Sequence, residues 1–579
     1  MSLTNEKSDS GSTSSNERKF GGNAGNDQIV GAKVTERRVQ ANDEELNDDD
    51  AELARRTGHK SEFAREFRSF STFSYACSIM GLISSVATTF NTPFQYGGPA
   101  TTVWAWFLGS VMNLTLGASI AEIVSAYPSS GGLYSASGLL VPKRYRAITA
   151  WITGWLNFTG QIAGIAGSAY GLAQMMLAWA TVLVDSRYSP TTAQTFGVYA
   201  AILIIHGFIN CFPTRWLAGL TSSYVIINFG MVIISSILVL ARTPKDEMHS
   251  ASYVFGDVVN QSGWSSNGFV FFLGLQSVQF VMTDYDATAH ISEEISKAAI
   301  AAPVAIFTAV LSTGIMGFFL NICYVFASGK VATTGTPDTW IGGLSFAQIL
   351  FDRGGKVAFL VLWPFICSVA WFVVTTAIQA NARSFYAFSR DRGLPDFGFF
   401  ARVERRTGTT VNAVWLVVVL CLLLGCLSFI NYTAVLAIFS LAAIGMDLSY
   451  IIPILARQFF EHHPDVQFQP GPFFMGRKWW ARTIVWISVF WVLFETTVLS
   501  FPLYSSVDKN SMNWGAIVMF GVLIVTGIWY FAYAHRHYHG PRSTLTKEMA
   551  EKLGIVTDAD NNIIGHEEHE KERVVQEEK

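Results

Sequence analysis

The sequence predicts an all-α integral membrane protein of about twelve transmembrane helices, and three observations carry that prediction. Half of the 579 residues are hydrophobic and only 14% are charged, against about a quarter in a soluble chain of ordinary composition. The charges are segregated, crowding into residues 1–68, residues 535–579 and short connectors. Between them, apolar runs recur at close to the ~20 residues that a helical span requires. The sequence has no zinc-type Cys/His spacing and no basic groove pattern, so neither a metal site, a cofactor nor a nucleic acid partner is implied. The six cysteines lie in or beside apolar runs and read as small hydrophobes.

Taken in order, residues 1–68 are rich in Ser, Asn, Asp, Glu and Gly, and cannot bury enough apolar surface to offset ordering entropy. They read as a disordered cytoplasmic tail whose Lys and Ser residues offer sites for ubiquitin conjugation and phosphorylation. No apolar run precedes Phe70, so no cleaved signal peptide is expected. Spans follow at about 72–92, 100–125, 147–180, 195–212, 216–241, 268–289, 300–327, 355–388, 411–430, 432–456, 483–503 and 513–534, making residues 69–540 one transporter-sized membrane domain. Lys and Arg concentrate before span 1 and after spans 2, 8 and 10, including Arg68, Lys143, Arg392 and Arg477. Positive-inside logic therefore puts both termini in the cytoplasm. On that map Asn260-Gln-Ser lies in an outer loop open to glycosylation, whereas Asn113 and Asn157 lie inside spans. Residues 541–579 read as a cytoplasmic C-terminal tail.

Two spans carry interruptions. Span 1 reads Cys77-Ser-Ile-Met-Gly-Leu-Ile-Ser-Ser, a glycine among small polar residues, where the backbone can leave the helix if it lines a cavity. Span 6 runs into Val281-Met-Thr-Asp-Tyr-Asp, placing Asp284 and Asp286 in an apolar run. Each carboxylate there costs about 2.5 kcal/mol or more on insertion scales, so each marks a function by default. Residues 290–294 read as a soluble end to that stretch. Spans 1 and 6 hold corresponding places in two five-span halves, and paired interruptions of this kind point to a transporter's midplane site. Span 2 ends with Glu122 followed by Pro128 and Gly131-Gly132, a turn into a re-entrant stretch; Glu122 suits an ion pair at the helix end. Arg383 and Arg390, seven residues apart on span 8, share a face. They suit either an inner gate with Glu293 or Glu294, or lipid headgroup anchoring.

The strings Ser78-Ile-Met-Gly, Ala121-Glu-x5-Pro-x2-Gly-Gly-Leu-Tyr, Tyr285-Asp-Ala-Thr-Ala-His-x2-Glu-Glu and Ala387-Phe-Ser-Arg-Asp-x-Gly-Leu-Pro resemble the amino acid–polyamine–organocation (APC) superfamily. More closely, they resemble its fungal amino acid/choline branch, which includes GABA permeases. The resemblance runs from about residue 63 to 541. It implies a five-plus-five inverted repeat with discontinuous helices 1 and 6 plus two extra helices, working by alternating access. It implies a substrate carboxylate on the N–H groups of Gly81, Leu82 and Ile83, beside Ser78 and Ile79. The substrate ammonium would lie on carbonyls from Val278 to Val281, with Phe280 as an aromatic lid and Thr283 and Asp284 beyond it. Half-helix N-termini favour anions and C-termini cations, so the arrangement is physically sound. Asp286 matches an acidic position tied in some relatives to proton coupling. Asp284 departs from the usual Gly or Ser; it suits either a helix N-cap or a contact to a cationic substrate.

The expected function is secondary active transport of a small nitrogenous solute, GABA or another amino acid, coupled to protons. An organic-cation carrier of the same fold (choline, thiamine or polyamine) and a non-transporting nutrient receptor are the alternatives. Nothing suggests an enzyme, since no nucleophile–base pair falls within the spans. The plasma membrane is the expected location, a vacuolar membrane the alternative.

Overall fold

The computed structural model describes residues 48–58, 63–185, 188–331, 339–430, 432–466, 468–507, 512–543, 545, 555–557 and 563–566. The chain divides into a short unit, Met1–Ala51, and one holding the rest, Glu52–Lys579; the membrane domain belongs to the second. Among the described residues, eleven helices are long and apolar enough to cross a membrane. The twelfth expected span, the sixth in order, is in pieces.

Span 1 is built from Ser69–Met80, Leu82–Thr89 and the short Asn91–Tyr96. Gly81, at φ 48° and ψ 51°, separates the first two, a left-handed conformation that a residue with a Cβ adopts only at a cost. Spans 2 to 5 are Gly98–Ala126, Arg146–Leu183, Thr192–Ile209 and Thr214–Arg242. Between spans 2 and 3 the re-entrant helix Gly132–Leu139 begins at Gly132, φ 54°. Span 6 comprises Asn267–Leu273 and Leu275–Val281, a non-helical stretch, and then only the single turn Ala287–His290. Spans 7 and 8 are Ala298–Ala327 and Ser345–Arg390, the latter broken at Gly355 (φ 76°, ψ 174°), so its membrane part starts where the apolar run does. Spans 9 to 12 are Val411–Gly425, Tyr432–Phe460, Trp479–Leu499 and Gly515–Ala532.

Spans 1 and 6 thread the middle of the bundle. Around them span 2 lies along span 7, and span 3 along spans 8 and 10. The most apolar window of span 1 is 89% buried, against 22% for span 12. The outer spans turn Phe208, Trp216, Ile226, Phe490 and Ile528 outward, the apolar belt that lipid would cover.

Structure reaches into both expected tails, at Asp48–Thr57, Phe63 and Phe67 on one side and at Leu545 on the other. Asp48–Thr57 is helical, and in residues 63–68 Phe63 and Phe67 are buried on the bundle while Ala64, Glu66 and Arg68 stay exposed. Residues 1–47 and 59–62 lie outside the described residues. At the other end Tyr538 and Leu545 are buried, and Ser543 Oγ donates to the Gly58 carbonyl at 2.8 Å, so the two chain ends meet on one face. Further on, Ile555–Thr557 and Ile563–His566 form a small antiparallel hairpin, the only strands among the described residues. Aromatic residues explain the docking: Phe63 and Phe67 meet Tyr386 and Tyr75, and Tyr538 meets Trp151 and Phe388.

Candidate substrate site and gate

At the span 1 interruption, side chains from the outer half take up carbonyls of the inner half. Ser84 Oγ donates to the Gly81 carbonyl at 2.9 Å and Ser85 Oγ to Met80 at 3.0 Å. Asn228 of span 5 joins both sides. Its Oδ1 accepts the Ile83 N–H at 3.3 Å, and its Nδ2 donates to the Cys77 carbonyl at 3.4 Å. Two of the three N–H groups expected to receive a carboxylate thus already have partners, since the Gly81 N–H donates to the Cys77 carbonyl at 3.2 Å. Ser78 faces Thr376 of span 8 at 3.5 Å, Ile79 and Leu82 are buried, and Val373 of span 8 fills the space beside Gly81.

The span 6 interruption gathers the carboxylates. Asp286 is buried and held from three directions. Tyr450 of span 10 donates to Oδ1 at 2.6 Å, Asn157 of span 3 donates to Oδ2 at 3.2 Å, and His290 Nε2 lies 3.3 Å from Oδ2. The same Tyr450 hydroxyl accepts the Asp284 N–H at 3.1 Å. Asp284 itself stands at φ 61°, and its carbonyl rather than its side chain accepts the Ala287 N–H. The expected side-chain N-cap is therefore not formed, because the left-handed backbone points the carboxyl elsewhere. Asp284 Oδ1 and Thr283 Oγ1 are buried without hydrogen-bond partners, an expensive state unless a ligand or water completes it. Val278 is less suited to its expected part: its carbonyl accepts the Met282 N–H at 2.8 Å and its side chain packs on Gly109 of span 2.

A small cleft of about 10 Å³, room for about one water, lies beside the two interruptions. Ser84, Ser85 and Thr88 line it from span 1, Ser168 from span 3, Phe280 from span 6 and Val373 from span 8. Phe280 is held edge-on against Phe439 of span 10, centroids 4.6 Å apart. Val281 is buried behind it.

On the face where the chain ends meet, the site is closed by ion pairs. Arg383 Nε lies 2.6 Å from Glu294 Oε1, and its other nitrogens donate to Thr410 at 2.8 Å and Thr214 at 3.3 Å. Arg390 Nη1 lies 3.8 Å from Glu293, which also accepts from Ser130 Oγ at 2.5 Å. His290, Glu293 and Glu294 are thus each 1% exposed, not the soluble end expected of them; paired guanidinium groups and hydroxyls let carboxylates stay buried. The N-terminal segment seals the arrangement. Phe67 N–H donates to the Glu294 carbonyl and Ser296 N–H to the Phe67 carbonyl, both at 3.0 Å, while the Phe63 ring covers the Arg383 guanidinium at 4.5 Å. Next to it, Asp391 accepts from Tyr134 at 3.0 Å. Burial pushes the Asp391 carboxyl up to about 6, with Arg390 opposing. Glu122 stands apart from this gate. It pairs with Arg457 and accepts the Met475 N–H at 3.1 Å, which anchors the connector between spans 10 and 11. The ion pair with Arg457 matches the part its place at the helix end suits.

Sequence reasoning missed Asn228, Asn157 and Tyr450, polar residues inside spans that look like ordinary helix-contact groups until the fold brings them to a break. It also passed over Asp447 and Glu495, although an ionisable residue in an apolar run is itself a signal.

Comparisons with known proteins agree with this architecture. The family model described as "Amino acid permease" matches residues 70–524. An uncharacterized amino-acid permease of Schizosaccharomyces pombe is 38% identical, over 87% of this chain and 91% of its own length. The GABA-specific permease of Saccharomyces cerevisiae is 30% identical over 86% and 87%. A protein of Candida albicans named as a putative polyamine transporter is 28% identical over 90% and 94%. With a broken first and sixth span around a small polar cavity, and with these matches along most of its length, this chain belongs to the amino acid permease family of membrane transporters.

Proposed function

We propose that this permease carries a small amine-bearing solute, GABA or another amino acid, coupled to protons and working by alternating access from a closed cytoplasmic side. The observation that carries the reading is the small cleft lined by both interrupted spans, with hydroxyls at one wall and Phe280 at another. The adjoining half-helix ends supply a positive pole for a carboxylate and a negative pole for an ammonium. The names of the yeast GABA permease and the Candida polyamine transporter support an amine as the common element. Asp286, buried and bonded to Tyr450 and Asn157, is the leading candidate to load and release the coupling proton. Glu293, Glu294, Arg383 and Arg390 form the inner gate. By positive-inside logic the face bearing both chain ends is cytoplasmic, with the plasma membrane as its setting.

One observation favours a second reading. The Asp284 oxygen left without a partner would suit a second ammonium or a quaternary amine, as in a polyamine or choline carrier. Uptake and counterflow in proteoliposomes, with GABA, choline, thiamine, putrescine and several amino acids as competitors, separate the two. Competition by GABA or another amino acid supports the first reading, and competition confined to the cations supports the second. Binding without counterflow would make the protein a receptor and overturn both. Asp286→Asn is expected to leave counterflow and remove dependence on the proton gradient; dependence that survives intact would sink its coupling role.

A further inference from the structure

Two carboxylates lie deep in the bundle outside the site just described. Asp447 belongs to span 10 and Glu495 to span 11, and they are 1% and 0% exposed. Their carboxyls face each other within hydrogen-bonding reach. None of their four oxygens is held in full hydrogen-bond geometry by another group; the nearest donor is the Trp491 Nε1 beside Glu495, a neutral indole N–H that interacts with the carboxyl only weakly. Arg457, the basic residue further along span 10, is taken by Glu122.

An independent observation comes from span 6. Tyr285 is fully buried, its hydroxyl has no partner, and the charged groups around it are Asp447, Asp286 and Glu495. The other neighbouring elements bring no base. Span 10 adds Tyr450, committed to Asp286; span 3 adds Asn157 on Met446 and Ser449; span 2 adds Ser119 against Ser488; span 12 adds Met519 against Gly445. His290 is taken by Asp286 through Nε2 and by the Ser130 carbonyl through Nδ1. Two carboxylates at contact distance in a low dielectric cannot both ionise, and no cation here relieves them.

We infer that Asp447 and Glu495 form a proton-binding pair behind the span 6 interruption, two carboxyls sharing one proton, facing Asp286 across the Tyr285 hydroxyl. With one proton the pair carries a single negative charge. Uptake of a second proton neutralises it, and release restores the charge; no other reactant takes part. A second proton site then stands between spans 10 and 11, where their movement relative to span 6 would alter its contact with Asp286. Its transport role rests on the proton-coupled reading above; its proton does not.

Infrared difference spectroscopy of the reconstituted full-length protein at pH 8 tests the pair. The wild type should show a protonated-carboxyl C=O band, sensitive to deuterium exchange, that the Asp447→Asn/Glu495→Gln double variant lacks. The conservative Asp447→Glu and Glu495→Asp variants should keep a shifted band, and whichever variants elute as monodisperse protein report on it. A spectrum unchanged in the double variant overturns the inference, and so does a band abolished by sodium or potassium, which would make this a metal-cation site. In proteoliposomes the double variant should lose gradient-driven uptake and retain counterflow. Gradient-driven uptake equal to wild type would remove the pair from coupling. Wild-type uptake indifferent to the proton gradient would defeat the proton-coupled reading while the infrared result still decides the pair.

Discussion

Single residues set the conformation of the site. Gly81 is required twice over, by its φ of 48° and by the Val373 methyl that lies 2.1 Å from where a Cβ would stand. Gly81→Ala is therefore expected to abolish uptake and lower the thermal midpoint in detergent, and adding Val373→Ala should recover part of the stability but not the backbone penalty of about 1 kcal/mol. Full recovery of both would mean that crowding alone matters. Asp391 gives a pH signature at the same scale. Its carboxyl sits at about 6 in the folded protein against an ordinary 3.8. Between those values the folded chain holds a proton that the unfolded chain has lost, so stability falls as pH rises through that window and the burial cost is complete above it. Thermal midpoints from pH 4 to 7 should decline more steeply for wild type than for Asp391→Asn; parallel curves would contradict the assignment.

Elements act through how they meet. The segment from 63 to 68 adds a short bridge to the loop that carries Glu294, and so ties the start of span 1 to the end of the span 6 interruption. Phe67→Pro removes the donor to Glu294 while keeping an apolar ring. A lost hydrogen bond of about 1 kcal/mol shifts the gate roughly fivefold towards opening. Labelling of a cysteine placed at Ser130, behind the Glu293 pair, should rise accordingly under a thiol reagent applied from that face, and an unchanged rate would show that the segment does not hold the gate. The two interruptions themselves were legible in the residues, because a mid-span glycine among serines and two aspartates in an apolar run have few other uses. The helix beyond the second one was not. A composition that reads as polar and soluble from His290 to Glu294 is buried, because Arg383, Arg390, Ser130 and the N-terminal segment converge on it from far along the chain.

For the whole molecule, the span map and the side of each loop form a single testable statement. Asn260 lies in the loop before span 6, with its side chain part-buried against Trp264, whereas Asn113 and Asn157 are 0% and 2% exposed within spans. Expression in a eukaryotic host should give a glycan on Asn260 and on neither Asn113 nor Asn157, read as a mobility shift removed by deglycosylation and reduced by Asn260→Gln. A glycan on Asn113 or Asn157 would refute the span map. The amino-acid sequence by itself determined the membrane class, the number and order of spans, the two interruptions and the family, because hydrophobic length and local backbone chemistry are properties of contiguous residues. Only the tertiary structure decided which carboxylate does what. Glu122 became a loop anchor, Glu293 and Glu294 became buried partners of Arg390 and Arg383, Asp284 was left without its cap, and Asp447 met Glu495. Each outcome depends on which distant side chain arrives opposite a charge, and in a low dielectric that partner, not the charge's own neighbours in sequence, sets its energy.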